Sequence, residues 1–284
     1  MIASTFGARN ASYVPVTLDD LTRAISAAGV AGRAVCLHSS LSSFGYVSGG
    51  PATVVDAFLC GGGTLLVPTF SWEAYAMTPP PPGLRPARNG TDYDALPIKD
   101  AVPVFSPADD VVGEAMGAVP AEVVKRPGRE RGNHPLCSFT AIGPEARHLT
   151  ECQTPTNVFA PLEVLARDGG FVVLAGVGLD RMTLLHHAEQ VAGRTLFRRW
   201  ARVGAGDVAM VAVGGCSEGF GRFDDELRSI ETRVLVGRST WRVFPARPAV
   251  EITAAAIRRD PTMTSCGAPG CERCADAVLG GPLL

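Results

Sequence analysis

The stretch Thr183-Leu184-Leu185-His186-His187-Ala188-Glu189 combines a hydroxyl, an imidazole and a carboxylate at a three-residue spacing. On a helix over 183–192, Thr183, His186 and Glu189 share one side. An imidazole beside a carboxylate can take and return a proton near neutral pH. The preceding run Phe171–Gly178 is apolar and glycine-spaced, and reads as a buried strand ending in a turn. The three polar groups therefore lie at the carboxyl end of a strand, where α/β proteins usually place chemistry. The plain alternative is a core histidine paired with a nearby carboxylate. Three kinds of polar group on one face directly after a strand favour a site. His187 points about 100° away from His186 on a helix and reads as a packing residue.

The elements that must position this stretch follow a βαβ rhythm. Thr17 is placed to cap a helix running to about Ala28, with Asp19 and Asp20 in its first turn. A short strand over 33–37 leads into the small, polar loop His38-Ser39-Ser40-Leu41-Ser42-Ser43-Phe44-Gly45. Pro51 opens a helix to about Cys60, and the next strand is 64–68. Segment 71–106, with four prolines at 79–82, cannot be regular and reads as a lid or binding loop. A helix is expected from Pro107 to about Gly117. The polar loop from Arg131 to Ser138 then enters another strand. Helix 161–167, strand 171–175, strands near 208–213 and 233–237 around a helix starting near Ser217, and a helix over 249–258 complete the pattern. The expectation is one domain over 1–284, with a cysteine-containing tail at 262–284.

Composition narrows the classes. The chain has 284 residues, of which 46% are hydrophobic and 19% charged, as in a packed globular protein. A net charge of −2 gives no nucleic-acid footprint. No apolar run approaches the ~20 residues that span a bilayer, so no membrane partner is expected. The start lacks a basic segment followed by an apolar run, so the expected location is the cytoplasm. The oligomeric expectation is a monomer or homodimer.

Five stretches, Leu37-His38-Ser39-Ser40-Leu41, Gly63-Thr64-Leu65, Pro68-Thr69-Phe70, Asn133-His134-Pro135 and the Thr183–Glu189 segment, resemble in type and order those of the aminoglycoside 3-N-acetyltransferase family. The resemblance runs from about residue 17 to the C-terminus. It implies a three-layer α/β/α fold with a mixed sheet, distinct from the small GNAT-type acetyltransferases. It also implies acetyl transfer from acetyl-CoA to the 3-amino group of a 2-deoxystreptamine ring. In that setting His186 is the general base, Glu218 in Cys216-Ser217-Glu218-Gly219-Phe220 orients and polarises it, and Thr183 sits beside the thioester. The loop residues His38, Ser39, Ser40, Leu41 and Ser43, with Arg131 and His134, are expected to contact CoA. The family usually has serine where Gly132 stands, which puts a side-chain contact there in doubt.

An amine acceptor with several ammonium groups calls for local carboxylates on a near-neutral chain. The candidates are Glu73, Glu189, Asp224 and Asp225. Cys271 and Cys274 are spaced as a metal half-site, and Cys266 and Cys216 could join them in a structural zinc site. Against zinc stands the lack of a second close pair. A different amine in a biosynthetic pathway stays open as the substrate. Two other classes also stay open. A hydrolase or acyl-enzyme transferase could use Ser39, Ser40 or Cys137 with His186, although no Gly-x-Ser-x-Gly elbow exists. A zinc-stabilised binding module is the other.

Overall fold

The computed structural model describes residues 14–77, 80, 82–99 and 101–284. Among the described residues there are nine strands: β1 (Ala34–Ser39), β2 (Thr64–Pro68), β3 (Glu130–Arg131), β4 (Phe139–Ile142), β5 (Phe171–Ala175), β6 (Phe197–Val203), β7 (Asp207–Val213), β8 (Thr232–Val236) and β9 (Ser239–Pro245). Seven of them form one mixed sheet in the order β3-β4-β2-β1-β5-β9-β8. The central strands β2, β1 and β5 run parallel, and the flanking pairs are antiparallel. The central strands are mostly apolar and almost wholly buried because both of their faces are covered.

Alternation along these strands divides the core in two. Val35, Leu37, Leu65, Val67 and Val173 pack against helices Leu18–Ala27 and Gly50–Leu59. Cys36, Leu66, Val172 and Leu174 face helices Ala160–Arg167, Leu184–Val191 and Ala246–Arg259. This gives helix, sheet and helix in three layers. Thr17 caps the first helix as expected: its hydroxyl accepts from Asp20 N, and the Asp20 carboxylate accepts from Thr17 N.

Several expectations are overturned. The helix expected from Pro107 to Gly117 is a non-helical segment, a 3-10 turn at Glu114–Met116, and then helix Ala118–Val123. Its carbonyls are drawn elsewhere: Arg129 donates to Pro107, Ala108 and Asp109, and Arg131 to Asp109 and Val111. The segment near Ser217 is a 3-10 turn, Phe220–Phe223, followed by the short helix Asp224–Leu227. β7 pairs with β6 in a separate antiparallel hairpin and does not enter the main sheet. In the excursion after Ser71, Met77 N donates to Trp200 O and Asn89 bonds Arg198, so this segment lies against that hairpin. Among the described residues no helix is long and apolar enough to cross a membrane.

Candidate active site

The segments that follow the three central strands converge at the carboxyl edge of the sheet. β1 delivers His38 and Ser39, β2 ends at Pro68 just before Phe70, and β5 leads through a 3-10 turn at Leu179–Arg181 to helix Leu184–Val191. Leu184, Leu185 and Ala188 are fully buried and fix that helix against the core. His186 is thereby held between aromatic rings, stacked on Phe159 at 5.7 Å and edge-on to Phe220 at 4.8 Å. On another side Gly214 passes so close that a Cβ there would stand 2.8 Å from His186 Cδ2. Only glycine allows this approach.

Two cavities meet at this ring. The larger, about 720 Å³, is lined by His38, Ser39, Ser40, Leu41 and Ser42, by Met116–Ala118, and by Asp180 and Arg181. The smaller, about 300 Å³, is lined by Trp72, Cys137, Phe159, Arg199, Gly214, Gly215 and Arg273. Phe70, Thr183, His186 and Ser217 belong to both. A group in one lobe and a group in the other therefore reach the same imidazole.

The polar chain behind His186 sets its tautomer. His186 Nδ1 lies 2.7 Å from Glu189 Oε2, and Arg194 Nη1 donates to Glu189 Oε1 at 2.6 Å. Arg194 is itself fixed by Thr264 Oγ1 at 2.7 Å and by the Pro261 carbonyl. A carboxylate already paired with a guanidinium is an acceptor, so Nδ1 carries the proton and donates. In the neutral ring the lone pair is then on Nε2. Thr183 lines both lobes and makes no side-chain capping bond, which leaves its hydroxyl available. Burial lowers the His38 imidazole to about 4, so that residue is neutral at pH 7. Burial also lowers the Arg199 guanidinium below its ordinary range, and the nearby charge of Arg273 acts in the same direction.

The chain from 36 to 258 matches the family described as aminoglycoside 3-N-acetyltransferase. The chain belongs to that family. It is 33% identical over 274 residues to aminoglycoside N(3)-acetyltransferase VII of Streptomyces paromomycinus, covering 85% of this chain and 91% of that one. It is 39% identical over 184 residues to aminoglycoside N(3)-acetyltransferase VIII of Streptomyces fradiae, covering 62% of this chain and 61% of that one. The latter match thus spans a little under two thirds of its relative. The crystal structure of aminoglycoside acetyltransferase AAC(3)-Xa superposes with a TM-score of 0.69 at 31% identity, covering 86% and 93% of the two chains.

Set against the family expectations, the structure redistributes several roles. Glu189, not Glu218, holds His186; Glu218 is exposed and lines neither lobe. Glu189 in turn cannot meet a substrate ammonium, because it is buried with both oxygens engaged. Arg131 is not a CoA ligand: its guanidinium is spent on Ser138 Oγ and on the carbonyls of Thr69, Asp109 and Val111. His134 is fully buried, with Nε2 2.8 Å from the Ala212 carbonyl and Nδ1 accepting from Leu136 N and Cys137 N. Ser43 turns inward to the Ser40 carbonyl and Ser239 Oγ, whereas His38, Ser39, Ser40 and Leu41 line the larger lobe. Gly132 is explained by Gln153, whose Oε1 would lie 2.0 Å from a Cβ at 132.

The expected acidic surface is not at the lobes. Glu73 is exposed and lines neither, Asp224 pairs with Arg242 at 2.7 Å, and Asp225 pairs with Arg228. Asp180 is the lining carboxylate that sequence reasoning missed, and its place in the strand-to-helix turn was the available signal. His187 lines neither lobe, and burial lowers its pKa. Cys216, Cys266, Cys271 and Cys274 do come together, with their sulfurs within 4.8 Å of one another.

Proposed function

We propose that this protein moves the acetyl group of acetyl-CoA directly to an amino group of an aminoglycoside, the 3-amino group of its 2-deoxystreptamine ring. The observation that carries this is the placement of His186, with Nδ1 committed to Glu189 and its ring in the wall shared by two lobes. The larger lobe, with its serine-rich loop and the turn before helix Ala118–Val123, takes the thioester and pantetheine arm. The smaller lobe takes the amine. His186 Nε2 accepts the amine proton as nitrogen attacks the thioester carbon, and Glu189 stabilises the imidazolium that forms. The Thr183 hydroxyl donates to the developing oxyanion. Collapse breaks the carbon–sulfur bond, and the proton on Nε2 passes to the departing thiolate. The products are the amide and the free thiol.

Direct transfer is supported by the absence of an activated nucleophile. Among the described residues, the only side-chain hydrogen bond of His186 is to Glu189. Cys137 is buried, which pushes its thiol up and away from thiolate. The test is release of CoA thiol on mixing with acetyl-CoA and a panel of 2-deoxystreptamine aminoglycosides. Thiol release that needs both substrates, with no acetylated protein formed by acetyl-CoA alone, is expected. Silence across the panel refutes acetyl transfer, and a stoichiometric acyl-enzyme refutes its direct form.

The four-cysteine cluster supports a structural zinc. Thiolates about 2.3 Å from one ion stand roughly 3.8 Å apart, a small contraction from the observed grouping. The site draws Cys216 from the segment after β7 and the other three from the tail, so the metal ties the tail to the site. Metal analysis should give about one zinc per chain, and Cys274→Ser should lose it and lower the thermal midpoint. Metal-free protein of undiminished stability removes the zinc.

A further inference from the structure

The smaller lobe carries two guanidinium groups, Arg199 and Arg273, and no carboxylate among the described residues lines it. Among the described residues Arg199, on β6, donates only to the carbonyls of Asn89 and Arg198, at 3.4 and 2.6 Å. Arg273 rises from the first turn of helix Glu272–Val278, and its stem rests on Gly90, where a Cβ would stand 2.8 Å from Arg273 Cγ. Neither has an ion-pair partner among the described residues, unlike Arg194 and Arg242. Two cations facing one small cavity without a counter-charge repel each other and any ammonium that enters. An anion placed between them removes that penalty and gains charge-assisted, fork-shaped hydrogen bonds.

We propose that the acceptor bears a phosphate or carboxylate as well as its amine, and that Arg199 and Arg273 bind this anion while the amine reaches His186. The inference rests on the reading of the lobe as the amine side of an acetyltransferase, and deepens it by naming the acceptor class: an aminoglycoside or amino sugar carrying an anionic group. The phosphates of CoA could supply the same chemistry. However, a whole pantetheine arm separates them from the thioester, whereas the arginines line the same small cavity as the catalytic imidazole.

The experiment compares matched acceptors with the intact enzyme and acetyl-CoA: kanamycin against kanamycin 3′-phosphate, and glucosamine against glucosamine 6-phosphate. In at least one pair kcat/KM should be about tenfold or more higher for the phosphorylated member. Arg199→Gln and Arg273→Gln should each reduce that preference to about threefold or less. The ratio is immune to partial misfolding, because both constants scale with the same active fraction. Calorimetry on CoA-saturated enzyme should show glucosamine 6-phosphate binding more tightly than glucosamine, and Arg273→Gln should abolish the difference. Turnover of kanamycin with no phosphate preference in either pair overturns the anion subsite and leaves acetyl transfer standing. Phosphate-dependent binding with no thiol release from any acceptor does the reverse. A raised KM for acetyl-CoA in Arg273→Gln, with the acceptor preference intact, assigns the arginines to CoA and overturns the proposal.

Discussion

Glu189→Gln separates a proton path through the observed His186–Glu189 pair from one built on Glu218. In the native chain the two carboxylate oxygens serve two donors, His186 Nδ1 at 2.7 Å and Arg194 Nη1 at 2.6 Å. Glutamine offers one oxygen and one amide nitrogen. Arg194 can only donate, so the oxygen turns to it and the amide nitrogen faces Nδ1. Nδ1 must then accept, and the ring proton moves to Nε2, where a base needs a lone pair. A carboxylate replaced in this way costs a histidine-based enzyme about 10²–10⁴ in kcat, roughly 3–5 kcal/mol of barrier. Arg194 also loses its buried counter-charge, which should cost about 3 kcal/mol of stability. The assay is therefore steady-state thiol release well below a measured thermal midpoint. Glu218→Gln, at an exposed position, should stay within about twofold of wild type, as surface changes usually do. Equal losses in the two variants, or a Glu189→Gln enzyme within about threefold of wild type, would refute the tautomer argument.

Gly214→Ala places a methyl group 2.8 Å from His186 Cδ2 and 3.0 Å from Nε2. The ring must shift, so kcat should fall about tenfold or more for an overpacking cost of about 1–3 kcal/mol, and unchanged kcat would contradict the close approach. Burial holds both His38 and His134 down at about 4, below the 6.5 of an unfolded chain. The unfolded state therefore binds the extra protons first, and stability is complete above pH 6.5 and is lost as pH falls toward 4. The loss should approach about 3 kcal/mol per histidine. Urea midpoints at pH 7 and pH 4.5 read this directly, and equal midpoints would refute it.

Much of this arrangement is legible in the chain because short-range rules decide it. The central strands announce themselves as apolar runs, and the Thr17–Asp20 pair writes a helix start. Thr183, His186 and Glu189 are related by helical spacing alone. What was not legible depends on long-range partners. β6 contains Arg198, Arg199 and Arg202, and is a strand because β7 pairs with it residue for residue. Residues 107–113 carry helix-start signals, but the carbonyls of Pro107, Ala108, Asp109 and Val111 are taken by Arg129 and Arg131, 20 to 22 residues further along. Arg131 and His134 lie in a stretch that reads as a polar loop, and there they look like ligands. Only the fold shows that every contact they make is internal.

The same distinction explains how the tail serves the site. Cys216 is followed by Ser217, which lines both lobes, and Cys274 is preceded by Arg273, which lines the smaller one. The sulfur cluster therefore lies beside two lining residues from segments more than fifty positions apart in sequence, and a metal bound there would tie them together. Helix Glu272–Val278 is further held by Asp276, whose carboxylate accepts from Gly90 N, and by Arg88, which donates to the Leu279 and Gly281 carbonyls. A seven-residue helix has little stability of its own. Its position, and with it the guanidinium of Arg273, is set by these cross-links. The smaller lobe is thus defined by the tail as much as by the sheet, and the guanidinium of Arg273 enters its lining from the tail.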